Sequence, residues 1–372
     1  MKKEDLFTLA HSLSHDKLIN HLEDVNFLNL VEIANREFLT SAFFYQLQKN
    51  NFFIENKDEE LFLYLNEIFK LNTIRNTQIV EQLKEIVSLL NSKNIECLLL
   101  KGCASLVDED YEHIGIRFLS DIDILVRPER INEAYSLLMQ IGYYKTKEDI
   151  GFYDSHHHLC PIAKENMPVV VELHSRVIGE KSTIEHIPFS EETSSKSHNL
   201  DFLNTWVLNP TYKLYHTFLH TEYIDNNYNL KRLDLRHIYD FTVLAKKYND
   251  KIDWNKLHQL VKSLKLQDNF QAYLYMCKEL FNLITPLTIE NEKVHSDYKM
   301  VLKSFELQGT IHGELYPLLP KLKSFYKKQR LKRIYHYEKD AYYPYYVLKH
   351  FIYQLKTYIF CKDCLKKFAS EK

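Results

Sequence analysis

Residues 98–126 read LLLKGCASLVDEDYEHIGIRFLSDIDILV and decide the fold. The opening apolar run ends at Lys101-Gly102, and a second apolar run contains Asp121 and Asp123. Because alternate side chains of a strand share a face, the two aspartates point the same way. Neighbouring carboxylates repel each other, so an otherwise apolar strand has reason to carry both where a cation lies between them. The pattern predicts a cation site, whereas an acidic strand edge that faces solvent is the simpler alternative for an isolated D-x-D.

Further residues around these acids favour a phosphorylated substrate. Gly102 lets the backbone approach a phosphate closely, and Lys101 adds a positive charge beside it. Arg117 supplies a planar guanidinium that suits phosphate oxygens. Glu172 lies in a later apolar run, VVVELH at 169–174, which can form a strand beside the first. Mg²⁺ fits this set because it takes one or two carboxylates and keeps positions for water and phosphate.

In this order the motifs resemble a known family. LLLKGCASL, GIRFLSDIDILV and VVVELHSRV are similar to the bacterial family described as uncharacterised nucleotidyltransferase, within the polymerase-β-type superfamily. They are more distantly similar to the nucleotidyltransferase toxins of abortive-infection systems. The resemblance extends over about residues 28–260, through HTFLHTEY, LKRLDLRHIYDFTVLAKK and DWNKL. It gives no role to residues 261–372, which read as helical and rich in aromatic side chains.

The resemblance implies an enzyme that transfers a nucleoside monophosphate from an NTP to a hydroxyl of an unidentified acceptor. It implies that Asp121, Asp123 and Glu172 are catalytic and bind Mg²⁺, with Mn²⁺ as the alternative cation. The nucleotide-binding residues predicted with them are Lys101, Gly102, Arg117, His174 and Asp240. The superfamily has a glycine-serine pair where this chain has Gly102-Cys103, and a thiol cannot grip a phosphate as a hydroxyl does.

Simpler interpretations exist for three of these residues. Glu172 can be a strand acid that pairs with Arg176 or Lys101. His174 shares a strand face with Glu172, so it either contacts substrate, orients a carboxylate, or is a packed and hydrogen-bonded histidine. Asp240 follows Arg236 by one helical turn, where an ion pair between the two is the default expectation. The resemblance nevertheless places the helix of Asp240 against the active-site cleft.

Composition predicts a mostly helical protein around one small sheet. The chain has 372 residues, which is enough for two or three domains, and only 7 Gly and 9 Pro. We expect a mixed α+β fold, with a small mixed β-sheet nucleotidyltransferase core flanked by helical regions. The predicted parts are an N-terminal helical region (1–75), the core (76–180), a linker or loop (181–206) and a C-terminal helical domain (207–372). Periodicity predicts helices over 28–43, 61–69, 74–94 and 131–141, and a hairpin over 156–177.

Charge and terminal sequence bear on partners and location. The net charge of −2 provides no strong field for nucleic acid or membranes, so a small-molecule or protein acceptor is favoured over RNA. The similarity to the toxins keeps a tRNA acceptor as the alternative. A basic segment at 321–333, KLKSFYKKQRLKR, suits RNA phosphates and bases, but a solvated helix face is the favoured interpretation of it. A catalytically inactive binding protein is the third possibility. We see neither a secretory signal nor an apolar run of about 18 residues, and the cysteines are scattered. We therefore expect a cytoplasmic protein without a membrane span.

Overall fold

A computed structural model of the chain describes residues 2–14, 26–55, 59–146, 158–177, 190–197, 199, 202, 204–308, 326, 328–335, 337 and 339–360. A seven-stranded mixed sheet is flanked by helices, which confirms the predicted fold class. Within these residues we find no helix with the length and apolar character that crossing a membrane requires.

The sheet brings distant parts of the chain together. Its strands are β1 (Cys97–Leu99), β2 (Asp121–Leu125), β3 (Tyr143–Lys145), β4 (Ile162–Lys164), β5 (Val170–His174), β6 (Ser194–Lys196) and β7 (Thr205–Leu208). Across the sheet the order is β3-β4-β5-β2-β1-β7-β6. Strand β2 runs antiparallel to β1 and parallel to β5, and the register of the β2–β5 pair sets Asp123 beside Glu172.

Two strands lie in the segment that the sequence predicted to be a linker or loop. Strand β7 pairs in parallel with β1, and β6 pairs antiparallel with β7 at the edge of the sheet. The linker prediction for 181–206 is therefore wrong at these strands. The Ser-Ser-Lys composition of β6 gives little local signal, because pairing with a neighbouring strand decides whether so short a segment is extended, whereas β7 begins at Thr205 and extends past the end of the predicted linker. The predicted hairpin corresponds to β4 and β5, which pair through Ile162 and Val171.

The helices before the core follow the prediction only in part, because the helix expected over 28–43 is divided at residues 37–39 into two helices, and Leu28 and Phe38 of its predicted stripe are exposed. They are α1 (Lys3–Ser14), α2 (Phe27–Arg36), α3 (Thr40–Lys49), α4 (Phe52–Glu55) and α5 (Glu59–Ser92), followed within the core by α6 (Lys101–Val107) and α7 (Ile131–Gln140). Helix α5 is 34 residues long and contains no Gly or Pro that would end it earlier. It therefore runs across the predicted boundary between residues 75 and 76, and joins two predicted helices into one.

After β7 the chain is helical again. The elements are α8 (Pro210–Phe218), a π-helical segment (Leu219–Ile224), α9 (Asn227–Leu230), α10 (Leu235–Lys247), α11 (Trp254–Ser263), α12 (Gln267–Phe281), α13 (Glu292–Leu307), α14 (Lys328–Tyr335) and α15 (Tyr343–Phe360). Helix α8 begins with Pro210 at its first position, and the Asn209 side chain accepts a hydrogen bond from Tyr212 N.

Apolar side chains form a core on each face of the sheet. On one face, the C-terminal half of α5, with α6 and α7, packs on Ile122 and Ile124 of β2. On the other face, the N-terminal and C-terminal helices share one continuous core that includes Leu125. Because side chains alternate along β2, Asp121 and Asp123 point to this second face, toward the helices.

Two buried asparagines of α5 hold the loop that precedes β2. The Asn72 side chain donates to the carbonyl of Gly115 at 2.7 Å. The Asn76 side chain donates to the carbonyls of Ile114 at 2.6 Å and Arg117 at 2.8 Å. Because these side chains satisfy loop carbonyls that would otherwise be buried without partners, the position of the loop depends on α5.

Candidate active site

The β2–β5 pair creates a compact group of potential ligands on the sheet face that the N-terminal and C-terminal helices cover. Asp123, Glu172 and His174 each offer an atom within 4.8 Å of the other two. Asp123 is only 2% exposed. The His174 Nε2 atom lies 2.8 Å from Asp123 Oδ1 and 3.7 Å from Glu172 Oε2. His174 is therefore packed and hydrogen-bonded, and its partner is a carboxylate of the predicted site.

Lys101 reaches the same carboxylate from the end of β1. Its backbone has φ +49°, a left-handed conformation that is uncommon for a side chain of this size, and its Nζ donates to Asp123 Oδ1 at 2.9 Å. Burial by itself would lower the pKa of Lys101, but the carboxylates of Asp123 and Asp121 outweigh it and raise the pKa. The ammonium group therefore stays charged beside the acids.

Asp123 stays ionised despite its burial. Burial disfavours the carboxylate, but the charge of Lys101 and the hydrogen bond from His174 outweigh this and hold the pKa of Asp123 well below its usual range. Both partners act on Oδ1. No described residue hydrogen-bonds Oδ2, which leaves that oxygen available to a cation.

Asp121 lies at the open end of the group. It is half-buried, and Ser120 Oγ donates to its Oδ1 at 3.1 Å. Asp121 shares the strand face of Asp123 but is not one of the three residues whose ligand atoms lie within 4.8 Å of one another. The tight group thus contains two of the three predicted metal ligands, with His174 in the third place.

Arg117 and Asp240 bind each other. Arg117 Nε and Nη2 donate to Asp240 Oδ2 at 3.1 and 2.8 Å, and both side chains are largely buried. Tyr111 donates to the other carboxylate oxygen. The expected ion pair of Asp240 with Arg236 is therefore wrong, because Asp240 binds an arginine that lies far away in the sequence. In this arrangement the guanidinium of Arg117 is held by Asp240 and is not presented to a phosphate.

Gly102 owes its lack of a side chain to Arg117. A Cβ atom at Gly102 would lie 2.0 Å from Arg117 Nη1 and 2.8 Å from Leu119 Cγ. The close approach predicted for a phosphate is thus taken by the arginine side chain, and the strained turn residue is Lys101. Cys103, which replaces the superfamily serine, donates through Sγ to the carbonyls of Leu100 at 2.9 Å and Asp123 at 3.1 Å.

A pocket of about 40 Å³ lies between this group and the helices α8 and α10. Its basic lining residues are Lys101, Arg117, Lys213, His216, His220 and His237. Lys213 is held by Asp108 at 2.8 Å and Asp110 at 2.9 Å. The three histidines were not predicted as site residues, although all three lie in the segments HTFLHTEY and LKRLDLRHIYDFTVLAKK that resemble the family.

His216 is the histidine of this pocket that lies deepest. It is 4% exposed, and within the described part of the chain no hydrogen bond to its ring is found. Burial, followed by the charge of Lys101, lowers the pKa of His216 well below its usual value. A neutral imidazole therefore lines the pocket and can accept a hydrogen bond.

Comparison with known proteins shows the family of this chain. A family model described as uncharacterised nucleotidyltransferase matches residues 23–282, which is more than half of the chain. This chain belongs to that family. The membership confirms the resemblance that the motifs suggested and the expectation of a transferase enzyme.

Other comparisons are more distant. A search among curated proteins found no match for this nucleotidyltransferase-family chain. A solved structure that aligns with it is that of the antibiotic-resistance factor ANT(2'')-Ia, with 11% identity and a TM-score of 0.35. The alignment covers 55% of this chain and 98% of that chain.

Proposed function

We propose that this nucleotidyltransferase-family protein transfers a nucleoside monophosphate from an NTP to a hydroxyl of a small-molecule or protein acceptor, using Mg²⁺ held by Asp121, Asp123 and Glu172. The observation that carries the proposal is the parallel register that sets Asp123 beside Glu172, with their ligand atoms within 4.8 Å of each other. Lys101 balances one of these negative charges, and with Asp121 on the same strand face the group keeps a net negative charge that a divalent cation would offset.

The chemistry of the donors fits this cation. Mg²⁺ prefers carboxylate oxygens, and Mn²⁺ shares that preference. His174 hydrogen-bonds Asp123 Oδ1 and so fixes the carboxylate that would bind the ion, as hydrogen-bond partners of ligands do at other metal sites. When bound, the cation supplies positive charge to the phosphate oxygens.

The protein's own side chains supply the rest of the chemistry. Nucleotidyl transfer places negative charge on the phosphate oxygens, so fixed positive groups contribute most of the stabilisation. Lys101 is charged, partly buried and aimed at the acids, and its Nζ is the donor available to a phosphate. His216 offers a neutral ring nitrogen to the acceptor hydroxyl from the pocket side.

The size of the pocket bears on the acceptor. About 40 Å³ holds roughly three water molecules, which suits the hydroxyl-bearing end of an acceptor but not a nucleotide. The nucleotide would therefore lie at the open end, near Asp121. The near-neutral charge of the chain favours a small-molecule or protein acceptor. A tRNA acceptor stays the alternative. In the basic segment 321–333, residues 321–325 and 327 lie outside the described residues, and residues 328–333 belong to α14.

A labelling experiment tests the proposal. The protein is incubated with each α-³²P-labelled NTP and Mg²⁺, together with a small-molecule extract, total protein or total RNA. We expect label in the small-molecule or protein fraction, and its loss in Asp123→Asn and Glu172→Gln. Asp250→Asn, an exposed acid outside the site, is the matched control and should retain activity. Label in RNA alone would reject the favoured acceptor class. Absence of NTP binding with Mg²⁺ present would reject the enzyme itself.

A further inference from the structure

Four side chains from separate parts of the fold form one stack. The rings of Phe38 and Phe118 are nearly parallel, with centroids 5.2 Å apart and an interplanar angle of 11°. The Arg75 guanidinium lies 4.5 Å from the Phe118 ring centre, and the Arg236 guanidinium lies 5.3 Å from the Phe38 ring centre. We call these four side chains the Arg–Phe stack.

The Arg–Phe stack borders the open end of the candidate site. Phe118 precedes Asp121 by three residues, and Arg75 donates to the carbonyl of Leu119 in the same loop. On α10, Arg236 lies one helical turn before Asp240. The stack therefore lies between the half-buried end of β2 and the helix that anchors Arg117. We place the nucleotide at this end because the pocket is too small to hold it.

Phe38 occupies a position that favours a different residue. It follows the end of α2 with φ +56°, in the left-handed region where glycine is preferred, while Leu39 N donates to Ala34 O at 2.7 Å. Its side chain is 50% exposed. A bulky ring in this conformation is strained, and an exposed ring contributes little to the core, so a strained and exposed aromatic ring at this place points to binding.

We propose that the Arg–Phe stack receives the nucleobase of the donor NTP. The base enters between Phe38 and Arg236, whose guanidinium lies 5.3 Å from the Phe38 ring centre and shifts outward to cover the base. Aromatic rings and guanidinium planes suit the faces of nucleobases, and stacking tolerates every base because each has a π-face. This inference rests on the proposed function and adds the residues that hold the base, distinct from those that hold the phosphates.

Comparing two ligands separates base from phosphate binding. Dissociation constants for ATP and for inorganic tripolyphosphate, each with Mg²⁺, are measured by calorimetry for the unmodified protein, Phe38→Leu and Phe38→Gly. We expect about a tenfold weaker affinity for ATP in both variants and an unchanged affinity for tripolyphosphate. Because glycine relieves the strained backbone, Phe38→Gly should also keep or raise the melting temperature. Phe118→Leu should repeat the selective loss of ATP affinity.

Phe351→Leu is the matched control, because Phe351 is 49% exposed but lies on α15. It should change neither affinity. Unchanged ATP binding in the Phe38 and Phe118 variants would overturn the inference, even if these variants no longer transferred nucleotide to an acceptor. The proposed function would remain intact. An equal loss of affinity for ATP and for tripolyphosphate would assign the stack to phosphate binding and would likewise overturn the inference. If the unmodified protein binds neither ligand with Mg²⁺, the proposed function fails, and the inference fails with it.

Discussion

Replacing Asp240 by asparagine removes one charge from the buried pair with Arg117 and keeps nearly the same shape. In the folded protein, Asp240 accepts three hydrogen bonds, from Arg117 Nε, Arg117 Nη2 and Tyr111. The exposed fractions of the Arg117 and Asp240 side chains are 11% and 7%. Asparagine cannot neutralise the guanidinium, so Asp240→Asn leaves a positive charge buried without its counter-ion.

The cost follows from this burial. Removing one partner of a buried ion pair destabilises a protein by about 3–5 kcal/mol, because the remaining charge has lost its compensation. Replacing both partners by apolar residues of similar volume, as in Arg117→Met/Asp240→Leu, removes the buried charges together and should cost much less. The double variant should therefore be more stable than Asp240→Asn, although it carries more changes.

Urea unfolding followed by intrinsic fluorescence measures these differences as shifts of the midpoint at constant slope. The matched control is Glu133→Gln, which breaks the exposed Arg130–Glu133 pair, whose N–O distance of 2.7 Å is close to that of the buried pair. This control should not shift the midpoint measurably. If Asp240→Asn costs less than about 1 kcal/mol, Arg117 does not depend on Asp240, and its role as a phosphate ligand regains support.

Three further outcomes are expected. Burial, and then the charge of Asp234, raises the pKa of Glu222 to about 8 from 4.5, so the folded protein holds a proton there that the unfolded chain releases. The contribution of this proton to the free energy of unfolding should be complete below pH 4.5 and should fall as the pH rises toward 8, by at most about 1.4 kcal/mol per pH unit. Glu222→Gln should remove this pH dependence in urea titrations. His174→Ala should weaken Mg²⁺ binding by about 10- to 100-fold in calorimetry, because it frees the carboxylate of Asp123; an unchanged affinity would contradict that role. Cys103→Ser should change stability by less than about 1 kcal/mol and leave NTP affinity unchanged, because a hydroxyl can donate to the same main-chain carbonyls. Tighter NTP binding would show that the thiol limits the affinity of the site for nucleotide.

The acids on β2 and β5 could be predicted because their arrangement depends on local rules. The strand period fixes Asp121 and Asp123 to one face whatever the rest of the chain does. Glu172 interrupts an apolar run that had to be a buried strand, and one pairing brings it beside Asp123. Strand period and strand pairing, together with the family motifs, were sufficient for this part of the site.

The partners of Arg117 could not be predicted, because they are settled by tertiary packing. Sequence spacing pairs Asp240 with Arg236 one turn away, but the folded chain pairs it with Arg117, 123 residues earlier. His216 likewise received no role from the sequence, although it lies in the segment HTFLHTEY that resembles the family. Its place beside Lys101 depends on how α8 packs on the sheet, and no local pattern carries that information. The short strand β6 was missed for the same reason, since among the described residues it pairs with β7 alone.

Helix α5 limits where the chain can change in length. Its N-terminal half packs Leu65 into the core of the helical regions, its centre holds the 114–117 loop through Asn72 and Asn76, and its C-terminal half packs Ile79 into the core beneath the sheet. An α-helix turns by about 100° per residue, so one residue inserted or deleted between Leu65 and Ile79 would turn these anchors out of phase. Insertions and deletions compatible with this fold therefore fall outside that interval, and a chimera that exchanges N-terminal regions should be joined outside it.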